Sequence, residues 1–165
     1  MMTVDDKMRK VLELAEYAMQ QGELPIAAAV FHGDVVIAQA YATEKKDGRF
    51  LIHAEIKALL QMDEKKYPIK ARREMQLFTN LEPCMMCFGA AIHSFVGEVY
   101  YSVNSLTDGG ALWAKKSWSD YHISSTFQLP KIYDGILVEE SKALFQNFLE
   151  LHPNGGLHDW VKTLV

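Results

Sequence analysis

Apolar positions along the chain alternate between two periods. From Thr3 or Asp5 to Gln21, Met8, Val11, Leu12, Ala15 and Met19 recur at three- and four-residue steps, with acidic residues in the first turn and Gly22 at the end, so an amphipathic helix opens the chain. Ile26–Phe31 and Val35–Ala40 are short apolar runs separated by His32-Gly33-Asp34, the pattern of an antiparallel hairpin of two buried strands. Helical spacing returns at His53–Met62, a strand at Met75–Thr79, a helix from Cys84 to His93 and a strand at Val99–Val103. Phe127–Tyr133 gives a fifth strand that Pro130 confines to an edge or a bulge. Glu139–Leu151 and Leu157–Leu164 close the chain as helices. Strands alternating with helices predict an α/β domain with helices on both faces of a mixed sheet.

Three stretches escape this periodicity. Tyr41–Ile52 holds Glu44-Lys45-Lys46-Asp47-Gly48-Arg49 directly before the helix at His53, a solvated loop or a substrate-facing one. Asp63–Glu74 mixes Lys65, Lys66, Lys70, Arg72 and Arg73 with acids and reads as a solvated surface. Asn104–Ser124 carries Gly109-Gly110 and the aromatics Trp113, Trp118 and Tyr121, whose roles divide between lid and ordinary packing.

At 165 residues, 49% hydrophobic and 23% charged, the chain has the makings of one folded core, with neither an internal repeat nor a linker. No apolar run approaches the roughly 20 residues that span a bilayer, and Met1–Lys10 is too charged for a signal peptide, which points to the cytoplasm and away from membranes. Cys84 and Cys87 are the only cysteines and suit a reducing compartment. A net charge of -4 supplies no global positive field, so nucleic acid is a disfavoured partner on this count.

The chemistry is concentrated in His53-Ala54-Glu55 and Pro83-Cys84-Met85-Met86-Cys87, each at a predicted helix start. His53, Cys84 and Cys87 make three protein ligands, the catalytic complement for Zn2+, where a structural site closes with four. Exposed backbone N–H groups at a helix start favour the thiolates. Zinc lowers the pKa of bound water from ~15.7 towards ~7. Glu55, two residues after the histidine, is placed to pass protons to a ring nitrogen and to departing ammonia. A C-x-x-C alone would equally fit a redox pair, and a lone histidine a cap; the combination is that of zinc base deaminases.

His53-Ala54-Glu55-Ile56, together with Leu81-Glu82-Pro83-Cys84-Met85-Met86-Cys87, Gly89-Ala90, His93-Ser94 and Gly135-Ile136-Leu137, resembles the cytidine deaminase superfamily, in the branch of tRNA adenosine, cytosine and guanine deaminases. The resemblance implies a three-layer α/β/α fold with a central five-stranded mixed sheet, and residues 1–165 as a single zinc-dependent deaminase domain working as a homodimer. It also implies Zn2+ on His53, Cys84 and Cys87, proton transfer by Glu55, and the backbone N–H of Ala54 facing the substrate. The asparagine that holds the base in many members is matched here by Ala42, or by Thr43 if the loop shifts by one. Trp113 and Trp160 are candidate stacking or lid residues, and residues 152–165 resemble the closing helix of fungal-type cytosine deaminases. Without a basic carboxyl-terminal tail, the expected substrate is a small free base, nucleoside or related amino-heterocycle, deaminated hydrolytically. Adenosine-to-inosine deamination in tRNA is the alternative, and a zinc-retaining binding protein without turnover a third reading.

Overall fold

The computed structural model describes residues 1–118 and 126–165; Tyr121 and His122 lie outside the described residues. Helix α1 (Val4–Gln20) begins in a capping box, with the Thr3 hydroxyl accepting from the Asp6 N–H and the Asp6 carboxylate accepting from Thr3. It ends where Gly22 takes a positive φ of 82°. The hairpin follows as β1 (Ala27–His32) and β2 (Val35–Tyr41), turning at Gly33. Helix α2 (Glu44–Asp47), α3 (Ala54–Asp63) and α4 (Ile69–Arg72) lead to β3 (Met75–Leu81). The remainder runs α5 (Met85–His93), β4 (Glu98–Val103), α6 (Ala111–Ser117), β5 (Lys131–Tyr133), α7 (Val138–Leu151) and α8 (His158–Lys162).

The five strands form one mixed sheet in the order β2-β1-β3-β4-β5. β1 pairs antiparallel with β2 and with β3, whereas β3/β4 and β4/β5 are parallel. β1 and β3 are buried on both faces, as central strands between helical layers must be. Ala28, Val30, Leu77 and Tyr101 pack under α3, α5 and α6, while Ala29, Phe31, Phe78 and Tyr100 pack under α1 on the opposite face. A third cluster joins Leu81 and Val103 to Phe145, Phe148 and Val161 of α7 and α8. This is the three-layer α/β/α arrangement.

Three elements depart from their expected form. β2 is an edge strand with Val35, Val36 and Gln39 exposed, so only one strand of the hairpin is fully buried. β5 is three residues long, because Pro130 has no N–H to give the ladder and pairing starts only after it. Short helices α2, α4 and α6 occupy stretches that carry no periodic signal; one turn in α2 and α4 and seven residues in α6 are too short to display one.

Candidate active site

β3 delivers the chain at its carboxyl end through Glu82-Pro83 into α5, while α3 starts beside it. His53 is the N-cap residue of α3 and Cys84 that of α5, with Cys87 in the first turn of α5. His53 Nδ1 lies 3.6 Å from Cys84 Sγ and 3.5 Å from Cys87 Sγ, and the three ligand atoms all fall within 4.8 Å of one another. One imidazole nitrogen and two sulfurs converging in this way fit zinc with a fourth position left open.

The protons within this trio are distributed by its own hydrogen bonds. Contact with Cys84 pushes the His53 imidazole up to about 9, and the Cys87 thiol's hydrogen bond holds Cys84 down at about 4. Donating that bond, together with burial, raises Cys87. Glu55, only 4% exposed, is pushed up to about 7 chiefly by burial. Its Oε1 accepts from Thr79 Oγ1 at 3.2 Å, and its Oε2 lies 3.6 Å from Cys87 Sγ. A carboxyl group titrating near neutrality beside the trio can both take and return a proton.

Buried polar side chains brace this geometry. Glu82, 3% exposed, accepts from the Ser105 N–H at 3.0 Å and from the Ala111 and Leu112 N–H groups at 3.1 Å each, tying the end of β3 to the loop before α6. That loop lies against the start of α5: Met85 N–H donates to Asp108 at 3.1 Å and Gly110 N–H to Pro83 at 2.8 Å. A Cβ on Gly110 would stand 2.7 Å from the Met85 Cα, so only glycine fits there. On the other side, Glu23 accepts from the Lys45 and Lys46 N–H groups at 3.0 and 2.8 Å, fixing α2. Lys57 Nζ donates to the Tyr41 carbonyl and to Thr43 Oγ1.

The trio opens into a cavity of about 760 Å³. Its walls come from the Gly22–Ile26 segment, the α2 loop with Glu44, Lys45 and Phe50, and the segment from His152 to Trp160. Among the residues named from sequence, His53, Ala54, Glu55, Cys84 and Trp160 line it, and Cys87 is buried behind Cys84. Ala42 and Trp113 do not. Ala42 is buried at the end of β2, where its N–H donates to the Ile26 carbonyl, and Trp113 stands 60% exposed on α6. Thr43 is likewise committed elsewhere, donating to Asp47 Oδ2 at 2.7 Å. Glu23, Lys57 and Asp108 were not singled out from the sequence, and Glu44 only as part of the loop read as solvated or substrate-facing; contacts made after the sheet assembles leave no local signal.

Residues 1–103 match the family described as the cytidine and deoxycytidylate deaminase zinc-binding region. A tRNA-specific adenosine deaminase of Rickettsia bellii is 27% identical over 145 residues, covering 87% of this chain and 97% of that one. A structure from a study of A-to-I editing by tRNA:A34 deaminases at the wobble position superposes with a TM-score of 0.68 at 24% identity, over 84% of this chain and 98% of that one. A guanine deaminase of Nitrosomonas europaea gives 0.70 at 23%, over 90% and 85%.

The expectation of a small free amino-heterocycle as substrate and partner, with nucleic acid unlikely, is corrected by these relatives, because a near-full-length match carries a tRNA-specific name. Net charge is also the wrong measure of a binding face. A net charge of -4 sums over the whole surface, whereas a substrate meets one face of it.

Proposed function

The chain belongs to the cytidine and deoxycytidylate deaminase family and is a zinc-dependent hydrolytic deaminase; from that premise we propose that its substrate is adenosine within tRNA, converted to inosine with release of ammonia. The observation that carries this reading is the match to a tRNA-specific adenosine deaminase along 87% of this chain and 97% of the relative.

In this reading His53, Cys84 and Cys87 hold the zinc, which supplies Lewis-acid activation of water. The remaining work belongs to the protein. Glu55 takes a proton from the attacking water and gives it to adenine N1 as the C6–O bond forms, then takes the remaining proton from the added hydroxyl and delivers it to N6, so that C6–N6 breaks and ammonia leaves. Its burial keeps the carboxyl group near neutrality, and the Thr79 bond fixes its orientation. Ala54 backs the base at the mouth of the trio, while the segment 152–165, with Trp160 donating to Thr107 Oγ1 at 3.2 Å, closes over the cavity as a lid.

The reading also places the protein in the cytoplasm, where Cys84 and Cys87 stay reduced, as a single domain that pairs as a homodimer. Met85, Leu112 and Trp113 offer exposed apolar surface for a second copy. No helix among the described residues is long and apolar enough to cross a membrane.

The deciding experiment incubates the zinc-loaded protein with unmodified tRNA and sequences the product for inosine, with Glu55→Ala as control. Inosine that vanishes in the control supports the reading. Absence of inosine from every tRNA tested would sink it.

A further inference from the structure

The two residues after β2 offer the cavity no polar contact, because Ala42 has only a buried methyl group away from it and the Thr43 hydroxyl is already engaged by Asp47 and Lys57. Glu44 is the first residue of this segment to line the cavity, which it shares with His53, Ala54 and Glu55. Its Oε2 is enclosed and without a hydrogen-bond partner, a condition that among the described residues it shares only with Ser102 Oγ, inside β4. An enclosed carboxylate oxygen with no donor is costly, and such orphans in native proteins call for a partner that arrives later. The segment around Glu44 is held by hydrogen bonds on both sides. Thr43 is pinned by Lys57 on one side, and the Lys45 and Lys46 N–H groups by Glu23 on the other.

Resting on the reading that the substrate is adenosine in RNA, we infer that Glu44 is a specificity-determining residue whose carboxylate accepts a hydrogen bond from a 2′-hydroxyl of the bound strand. The choice follows by elimination on the nucleotide. An ionised carboxylate only accepts. Adenine N1, N3 and N7 are acceptors too, and the N6 amino group is the leaving group and faces Glu55. The 3′ and 5′ oxygens are esterified, and their phosphates carry the same charge as Glu44. The donor left on the target nucleotide, and the one that every nucleotide of the strand offers whatever its base, is the 2′-hydroxyl, the group by which a protein tells RNA from DNA.

The test is a cycle of protein and substrate changes. kcat/KM is measured on an anticodon stem-loop RNA and on versions with a single 2′-deoxynucleotide at the target or at either flanking position, for the parent, Glu44→Ala and Glu44→Gln, with zinc content determined for each. We expect Glu44→Ala to lose about 10- to 100-fold on the all-ribose strand. One deoxy position should cost the parent a similar factor and cost Glu44→Ala nothing further; that position identifies which nucleotide supplies the hydroxyl. Glu44→Gln, of the same shape and still an acceptor, should fall between and show the same coupling, which keeps the test available if the alanine variant folds poorly. Equal losses on ribose and on every deoxy strand would overturn the inference. So would loss of zinc from Glu44→Gln, which would assign the residue to the metal site instead. Inactivity of the parent on all RNA is a different result, and counts against the substrate reading itself.

Discussion

Thr79, in β3, donates its hydroxyl hydrogen to Glu55 Oε1 across 3.2 Å, so the central strand of the sheet aims the carboxyl group in the first turn of α3. Both residues are buried, Thr79 completely. Replacing Glu55 with Gln should remove proton transfer and lower kcat by about 10²- to 10⁴-fold while zinc stays bound. Thr79→Val keeps the shape and removes the donor; about tenfold in kcat should be lost, with zinc content unchanged. Thr79→Ser should recover most of that. A Thr79→Val enzyme with parental turnover would show that Glu55 needs no such aim.

Zinc affinity should fall steeply as the solution is acidified. Without metal, His53 holds its proton up to about 9, Cys84 is a thiolate above about 4, and Cys87 keeps its thiol proton. Between those two values zinc must therefore displace a proton from each of His53 and Cys87. The logarithm of the association constant should rise by about two per pH unit in that window. Competition titrations with a chelator at several pH values give the slope, and proton release measured on zinc addition gives an independent count. A slope near zero would mean that the trio is already deprotonated.

Both metal motifs are legible in the sequence because their chemistry is local: His53 and Cys84 each mark a helix start, and the N-cap position that a start requires is where the structure has them. The fold class is legible for a similar reason, since period and turn residues are short-range properties. The braces are not. Glu82 reaches the 105–112 loop and Glu23 reaches α2 only after the sheet has assembled, and nothing in the neighbouring residues announces either contact. Ala42 was placed by counting back from His53; the count located the end of β2 but not the direction of its side chain, which is inward. Substrate class was misjudged because total charge and the lack of a basic carboxyl-terminal tail were made to stand for the charge of the face that meets the substrate.

Glu82 should prove to be the costliest residue to remove outside the metal ligands. Its carboxylate satisfies the Ser105, Ala111 and Leu112 N–H groups in a buried setting. Glu82→Ala leaves these donors unpaired and should destabilise the protein by about 3 kcal/mol, whereas Glu82→Gln, retaining one acceptor oxygen, should lose about 1. Urea denaturation of the zinc-loaded variants measures both. Equal stability of all three proteins would mean that water replaces the clamp without cost.

Gly110 tests the same region by steric means. A Cβ there would meet the Met85 Cα at 2.7 Å and the Cys84 carbonyl carbon at 2.9 Å, both backbone atoms that cannot swing aside. Gly110→Ala should therefore push the loop off the start of α5, displace Cys84 and weaken zinc binding by at least about tenfold, a loss of roughly 1.4 kcal/mol. Gly156 lines the cavity into which the trio opens but has open space around it, so Gly156→Ala should keep its zinc. Parental zinc affinity in Gly110→Ala would show that the loop yields without carrying Cys84 along.

Salt dependence separates a surface that meets phosphates from one that does not. Lys45, Lys46 and Arg49 are exposed on the loop whose Lys45 and Phe50 border the cavity, so a strand entering there passes them first. Each phosphate neutralised on a single strand contributes about -0.7 to the slope of log affinity against log salt. Changing all three residues to Ala should therefore flatten the salt dependence of kcat/KM on tRNA by about two. Lys66 and Lys70 serve as the control: they are equally exposed, but the cavity does not touch them, and removing their charges should leave the slope in place. If the slope falls with the control pair and not with the loop residues, the strand crosses the surface around α4. A slope already flat in the parent would mean that no phosphates are contacted, and tRNA would then be the wrong substrate.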